Sequence, residues 1–482
     1  MAAPDIVGSS AWSLQRLTGP AAYPPVSAAP YPPDAVYPEF PGLAAGTAPN
    51  PVFAAVREAL RGLGLDAARF GTPHWNPLGE LVKPGGRIVV KPNWVLHANQ
   101  GAGGMDCMIT HPAVLRAVLE YVFLTRPAQV VLGDAPIQGC DFEKLQDHAG
   151  LRAVLADFQV RSQPLVVRDF RRTVARCQDG MYFVSEDLRP ESEYVLVDLG
   201  ADSLLEPISK DWRKFRVTVY DPRKMWRHHR PGRHRFLIAR DILEADLVVN
   251  VPKLKAHKKA GITCCLKNLI GINGNKEYLP HHRKGAAAAG RGDNYDRRHW
   301  QMNLAENLLD VANCVRGFPR IYRLTEKVVW HLLYHASKQD PAAQLEGSWH
   351  GNDTIWRTCL DLNRALLYAS SDGRMQTAPQ RQEISIVDAV IAGQGEGPLS
   401  PEPLETGAVF AAHNPAVGDF LGALLLGFDP ARIPLVRHSR DNMRWRICGA
   451  SPAIPDFQPP FPAARAPKGW AGHIERDLVA VP

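Results

Sequence analysis

Between Pro252 and Gly271 the chain concentrates side chains able to hold an anion and move a proton. Lys253, Lys255, His257, Lys258, Lys259 and Lys267 fall within fifteen residues. So many cations at short range repel one another, and the cluster requires an anion or a metal-bound ligand beside it. An amine among other amines also holds its proton less tightly, which makes a lysine usable as base or nucleophile near neutral pH. His257, Lys267 and Lys255 are therefore candidate catalytic residues, joined by Asp388. Lys91, Asn93, Lys253, Asn268 and Asn273 are candidate substrate-binding residues, the asparagines supplying neutral hydrogen bonds. Asp388, Asp419 and Glu396 are candidate ligands for a divalent metal or a second proton-transfer group, with Asp134 a further carboxylate at a strand end. Each of these acids alone would equally serve to cap a turn.

The elements that must position these groups alternate between strand and helix. Arg87–Val90 and Gln129–Leu132 read as strands flanking an amphipathic helix from Pro112 to Leu124, capped near Thr110. Asp246–Val251 is an apolar strand running straight into the lysine cluster. Strands end in polar groups beside proline at Lys91-Pro92, Asp134-Ala135-Pro136 and Pro252-Lys253, and Ile384–Val387 runs into Asp388. In a parallel sheet, ligands gather beyond the carboxyl ends of the strands. The fold class expected is α/β, a mainly parallel sheet with helices on both faces, an inserted antiparallel subdomain and Pro-rich termini.

The expected organisation is a Pro/Ala-rich segment 1–48, a first α/β part 49–150, a strand-rich insertion 151–235, a C-terminal α/β part 236–446, and a Pro-rich tail 447–482. The insertion gathers strand-like runs at 165–167, 194–198 and 215–220. Asn50 and Pro51 open a helix, and Asn414 and Pro415 another. Gly393–Pro398 reads as a flexible loop able to approach a ligand by its backbone, but fits neither a Walker A nor a dinucleotide fingerprint. Cys264 and Cys265, adjacent in sequence, read as small packing residues.

Four ordered motifs resemble the DUF362 family, named for its unknown function. The first is Pro252, Lys253, Lys255, His257, Gly261, Lys267, Asn268 and Gly271. The others are Val89–Trp94, Thr110–Pro112, and Ile386–Pro398 followed by Asn414–Asp419. The resemblance spans about residues 85–440 and implies a fold but no reaction. The His257-to-Lys267 loop is also similar to one in the lactate-racemase family of nickel-pincer enzymes. That resemblance implies proton transfer by His257 and a cofactor carried covalently on Lys267. Cys264 and Cys265 depart from it, standing where that loop has small residues.

With 482 residues, 45% of them hydrophobic and 22% charged, the chain can bury a large core. A net charge of +7 suits an anionic substrate without requiring nucleic acid. The basic run Arg223–Arg235 is the one place where a nucleic acid or another anionic polymer would bind, although no recognition motif accompanies it. No apolar run reaches membrane-spanning length and no secretory signal is evident, which predicts a cytoplasmic protein. The eight cysteines contain no C-x-x-C pair, so an iron–sulfur cluster is not expected. The cofactor is otherwise open, a divalent metal included, and so is the oligomeric state. These features predict an enzyme acting on a small anionic metabolite (carboxylate, phosphate or sugar acid) by Lys/His acid–base chemistry of isomerase or redox type. The alternatives are a Mg-dependent phosphate-handling ligase or transferase, and a non-enzymatic binder of anionic polymer or nucleic acid.

Overall fold

The computed structural model describes residues 4–178, 181–217, 220–314, 346–449 and 461–476, with short stretches between 324 and 336 and single positions at 454 and 459; side chains are described except at 176–178 and 181–186. One nine-stranded sheet organises the chain. Its strands are β1 (Trp12–Arg16), β2 (Arg87–Pro92), β3 (Gln129–Asp134), β4 (Leu165–Asp169), β5 (Leu247–Val251), β6 (Lys253–His257), β7 (Gly261–Thr263), β8 (Gln382–Glu396) and β9 (Ser400–Ala412). The order β1-β9-β8-β5-β2-β3-β4 is parallel from β8 to β4 and antiparallel where β9 pairs with β8 and β1. Beyond Pro252, β6 continues the line of β5, still parallel to β8, and folds back antiparallel through β7.

Strand side chains alternate between two cores, as a sheet covered on both faces requires. Ile88, Val90, Val130, Leu132, Leu247 and Val249 face one core, built with helices α1 (Pro51–Gly62) and α2 (Pro112–Leu124). Val89, Val131 and Val248 face the other. There α4 (Ile355–Tyr368) covers the sheet, while the short α3 (Cys265–Asn268) and α5 (Pro415–Leu425) pack with Val387 and Phe410 in an adjoining core. Asn50 caps α1 by accepting the Phe53 amide, and Asn414 caps α5 by accepting the Ala416 amide.

Further antiparallel pairing lies in small sheets outside the main one, Tyr194–Asp198 with Arg233–Ala239 and Phe215–Arg216 with His282–Arg283 among them. Leu165–Asp169, grouped by its turn-rich surroundings with those strands, instead extends the parallel sheet beside β3. The cap of α2 is His111, whose Nδ1 accepts the Ala113 amide, because Thr110 is engaged elsewhere: its hydroxyl donates to the Val251 carbonyl and accepts the Asn93 amide. Gly393–Pro398 is no loose loop, since β8 runs through Glu396 and pairs with β9 down to Ser400. A Cβ at Gly393 would lie 2.6 Å from the Lys255 Cβ and 2.7 Å from the Cys107 carbonyl oxygen. That glycine serves close approach of β6 rather than mobility. Among the described residues no helix is long and apolar enough to cross a membrane.

Candidate active site

Alternation along β6 puts Lys253, Lys255 and His257 in a row on one side of the strand. Lys253, fully buried, pairs with Asp388 at 2.7 Å. The Tyr23 hydroxyl bridges the two, 2.5 Å from Nζ and 2.6 Å from the Asp388 carboxylate, and its ring stacks on His111 with centroids 3.8 Å apart. Asp388 also accepts the His111 amide. Burial first, then the Asp388 charge, raises the Tyr23 pKa well above its ordinary value, so the phenol stays a donor. Among the described residues Lys255 has no carboxylate partner: it donates to Asn93 Oδ1 at 2.6 Å and to the Met108 carbonyl. Burial and the neighbouring Lys253 lower its pKa strongly.

A second buried chain runs alongside. Lys91 pairs with Asp134 at 2.7 Å and donates to the Pro92 carbonyl and Asn268 Oδ1. Asn268 in turn accepts from Asn93 and donates to Asn250. Gly271 permits this arrangement, because a Cβ there would lie 1.9 Å from Asp134 Oδ1 and 2.8 Å from Lys91 Nζ.

Both chains lead to one cavity of about 670 Å³, lined by Asn93, Asn268, His257 and Lys267 together with Lys258, Lys259, Lys276 and His281. Lys267 is buried and has no hydrogen-bond or ion-pair partner among the described residues; burial lowers its pKa. Lys276 donates to the Ala135 carbonyl at 3.0 Å, and burial brings its pKa down to about 7. Lys259 pairs with Glu346.

The two histidines are held in opposite tautomers. His257 Nδ1 accepts the amides of Lys259 and Ala260, so the neutral ring carries its proton on Nε2. His281 Nδ1 lies 2.6 Å from the Leu279 carbonyl, which only an N–H satisfies, leaving a lone pair on Nε2. Burial, reinforced by nearby lysines, holds both pKa values well below the usual histidine range, so both rings are neutral at pH 7. Three buried donors on cavity-lining residues lack partners: Trp94 Nε1, Thr263 Oγ1 and Gln138 Nε2.

The remaining candidates lie apart from this cavity. Asn273 accepts the Leu237 amide and donates to the Asn275 carbonyl, holding the turn after α3. Glu396, at the end of β8, accepts the Lys468 amide. Asp419 sits on α5 against Cys264 and Cys265. Those cysteines do point into one space, their sulfurs 3.6 Å apart, because the chain turns into α3 between them. In the basic run, Arg223, Lys224 and Arg235 pair with Asp221, Glu277 and Asp198, while His229 and His234 are buried. Tyr23 escapes sequence reasoning entirely, lying in the Pro-rich segment far from the cluster. Lys276 carried one signal, its place in the Asn/Gly-rich exit from the motif.

The chain belongs to the DUF362 family: the sequence model of that domain of unknown function matches residues 88–186 and 163–423. A thylakoid-associated protein from Synechocystis is 22% identical over 357 residues, 74% of this chain and 68% of that protein. Among solved structures, the lactate racemase apoprotein from Thermoanaerobacterium thermosaccharolyticum aligns with 78% of this chain and 55% of its own, at 14% identity and a TM-score of 0.33. A Thermotoga maritima protein aligns over 73% and 54%, at 11% identity and a TM-score of 0.30. The chain thus spans about half the length of these two structures, and likenesses at this level carry no argument about chemistry.

Proposed function

We propose that the protein is an enzyme that binds a small oxygen-rich anion, a carboxylate or sugar acid, in the cavity beside Lys267 and transfers protons there. The observation that carries this reading is an excess of donors over acceptors. Among the described residues, neither the Lys267 nor the Lys276 amine has a carboxylate within ion-pair reach, although both residues line the cavity. Buried donors without acceptors are costly, and an anion with several oxygens would satisfy them together. Lys253 and Lys255 then act as positioning residues, since both amines are already engaged.

The tautomers give the proton chemistry a direction. His281 Nε2, with its lone pair, takes the proton and, as imidazolium, returns it at a neighbouring position of the same group, while His257 Nε2–H donates a hydrogen bond to the negative charge that develops. The group is isomerised and both rings end as they began. Lys267 would hold the developing negative charge, or carry the cofactor that the racemase-like loop implies.

Thermal unfolding in the presence of 2-hydroxy carboxylates, sugar acids, inorganic phosphate and Mg-nucleotides tests this. Carboxylates or sugar acids are expected to raise Tm in the native chain and not in Lys267→Met. Stabilisation by Mg-nucleotide alone would overturn the reading in favour of phosphoryl or ligase chemistry.

A further inference from the structure

The elbow that delivers Lys267 and Asn268 to the cavity rests on a second group of reactive side chains that the chemistry above leaves unused. Cys264, Cys265 and Asp419 are all fully buried. Their two sulfurs and one carboxylate oxygen lie within 4.8 Å of one another. Asp419 Oδ1 accepts the Leu266 amide at 3.0 Å, but Oδ2 is buried without a hydrogen bond of normal geometry. The space is shaped from the α5 side as well. A Cβ at Gly418 would lie 2.5 Å from the Cys265 sulfur, and one at Gly422 3.0 Å from the Cys264 sulfur. These glycines stand one helical turn apart on the face that meets the elbow, so α5 comes close enough for Asp419 to reach the sulfurs.

We propose that Cys264, Cys265 and Asp419 form a binding site for a thiophilic divalent cation of the Zn2+ type. Two thiolates bound tetrahedrally to zinc stand about 3.8 Å apart, given Zn–S bonds of about 2.3 Å. The sulfurs here are already 3.6 Å apart. Sulfur ligands favour zinc over magnesium or calcium, which take oxygen. Binding releases the two thiol protons to solvent and gives Asp419 Oδ2, which lacks a hydrogen bond of normal geometry, a bond to the cation. With two thiolates and one carboxylate the occupied site carries one net negative charge, close along the chain to Lys267. The cation ties α5 to the elbow and so fixes where Lys267 and Asn268 enter the cavity.

The test uses the full chain, reduced with a phosphine and stripped of metal, titrated with Co2+ and then Zn2+. One Co2+ per chain is expected, with a sulfur-to-cobalt charge-transfer band and strong tetrahedral visible bands that Zn2+ displaces. The charge-transfer band is expected to vanish in the Cys264→Ser/Cys265→Ser chain, and Asp419→Asn should weaken binding at least tenfold. Absence of the band in folded, reduced native chain would overturn the site, as would its survival in the double serine variant. Zinc X-ray absorption on the native chain needs no substitution. A shell with two sulfurs at about 2.3 Å is expected, and a shell of nitrogen and oxygen alone would refute the proposal.

Discussion

The Lys267 amine has no ion-pair partner among the described residues, and burial lowers its pKa. Removing an unpaired buried amine relieves a desolvation cost. Lys267→Met is therefore expected to match or exceed the native chain in urea midpoint while losing anion binding. His257→Asn separates the two nitrogens of that ring: the new Oδ1 can accept the backbone amides, but the cavity-facing N–H is gone. Retained folding with loss of turnover on whichever anion binds is the expected result. Gly271→Ala should behave in the opposite way. Its Cβ collides with the Lys91–Asp134 pair, and breaking a buried pair costs about 3–5 kcal/mol, readable as a lowered denaturant midpoint. At this scale the sequence was informative about residue types and less so about partners. Alternation made the row Lys253, Lys255, His257 legible. Nothing local revealed that Lys253 meets a tyrosine 230 positions earlier, or that Lys255 would find only oxygens of an asparagine and a carbonyl.

The elements were legible where hydrophobic period and caps agreed, as in β2, α1, β3 and α5. They were misread where glycine had two meanings. In Gly393–Pro398 the glycines looked like a mobile loop, yet Gly393 lets β6 and the Cys107 carbonyl close on β8. Gly393→Ala is expected to push Lys255 from Asn93 and lower stability, with amide exchange accelerating along β6 and β8. Adjacent cysteines likewise looked like small packing residues, because the turn that brings their sulfurs together is not visible in local sequence. The Pro-rich segment is held by β1 on β9, by the buried Glu39–Arg57 pair, and by the Tyr23 hydroxyl between Lys253 and Asp388. Tyr23→Phe keeps the stack on His111 and removes that bridge. A loss of about 1–3 kcal/mol in chemical denaturation is expected, with earlier proteolysis of residues 4–48.

For the whole molecule, burial of titratable groups sets opposing pH limits. Burial holds His111 down to about 3 and His228 to about 4. A histidine with a folded pKa below 6.5 leaves more protons on the unfolded chain, so stability falls as pH drops from 6.5 toward those values. Burial moves Glu383 up to about 8. Its contribution is fully present below the ordinary carboxylate range and is lost as pH rises through about 8. Urea midpoints against pH are expected to trace a dome, with Glu383→Gln flattening its alkaline side alone. The sheet itself has a comparable limit at one edge. β1 and α1 precede the family-matched region, yet β1 pairs with Ala408–Ala412 and α1 lies against β9 and α2. A fragment trimmed to residues 88–423 would keep every lysine of the motif and bare a hydrogen-bonding edge of Ala, Val and Phe. Such an edge recruits strands from other copies, so the trimmed fragment should elute as aggregate where the full chain does not. The family-matched stretch of this protein is thus smaller than the unit that completes its sheet.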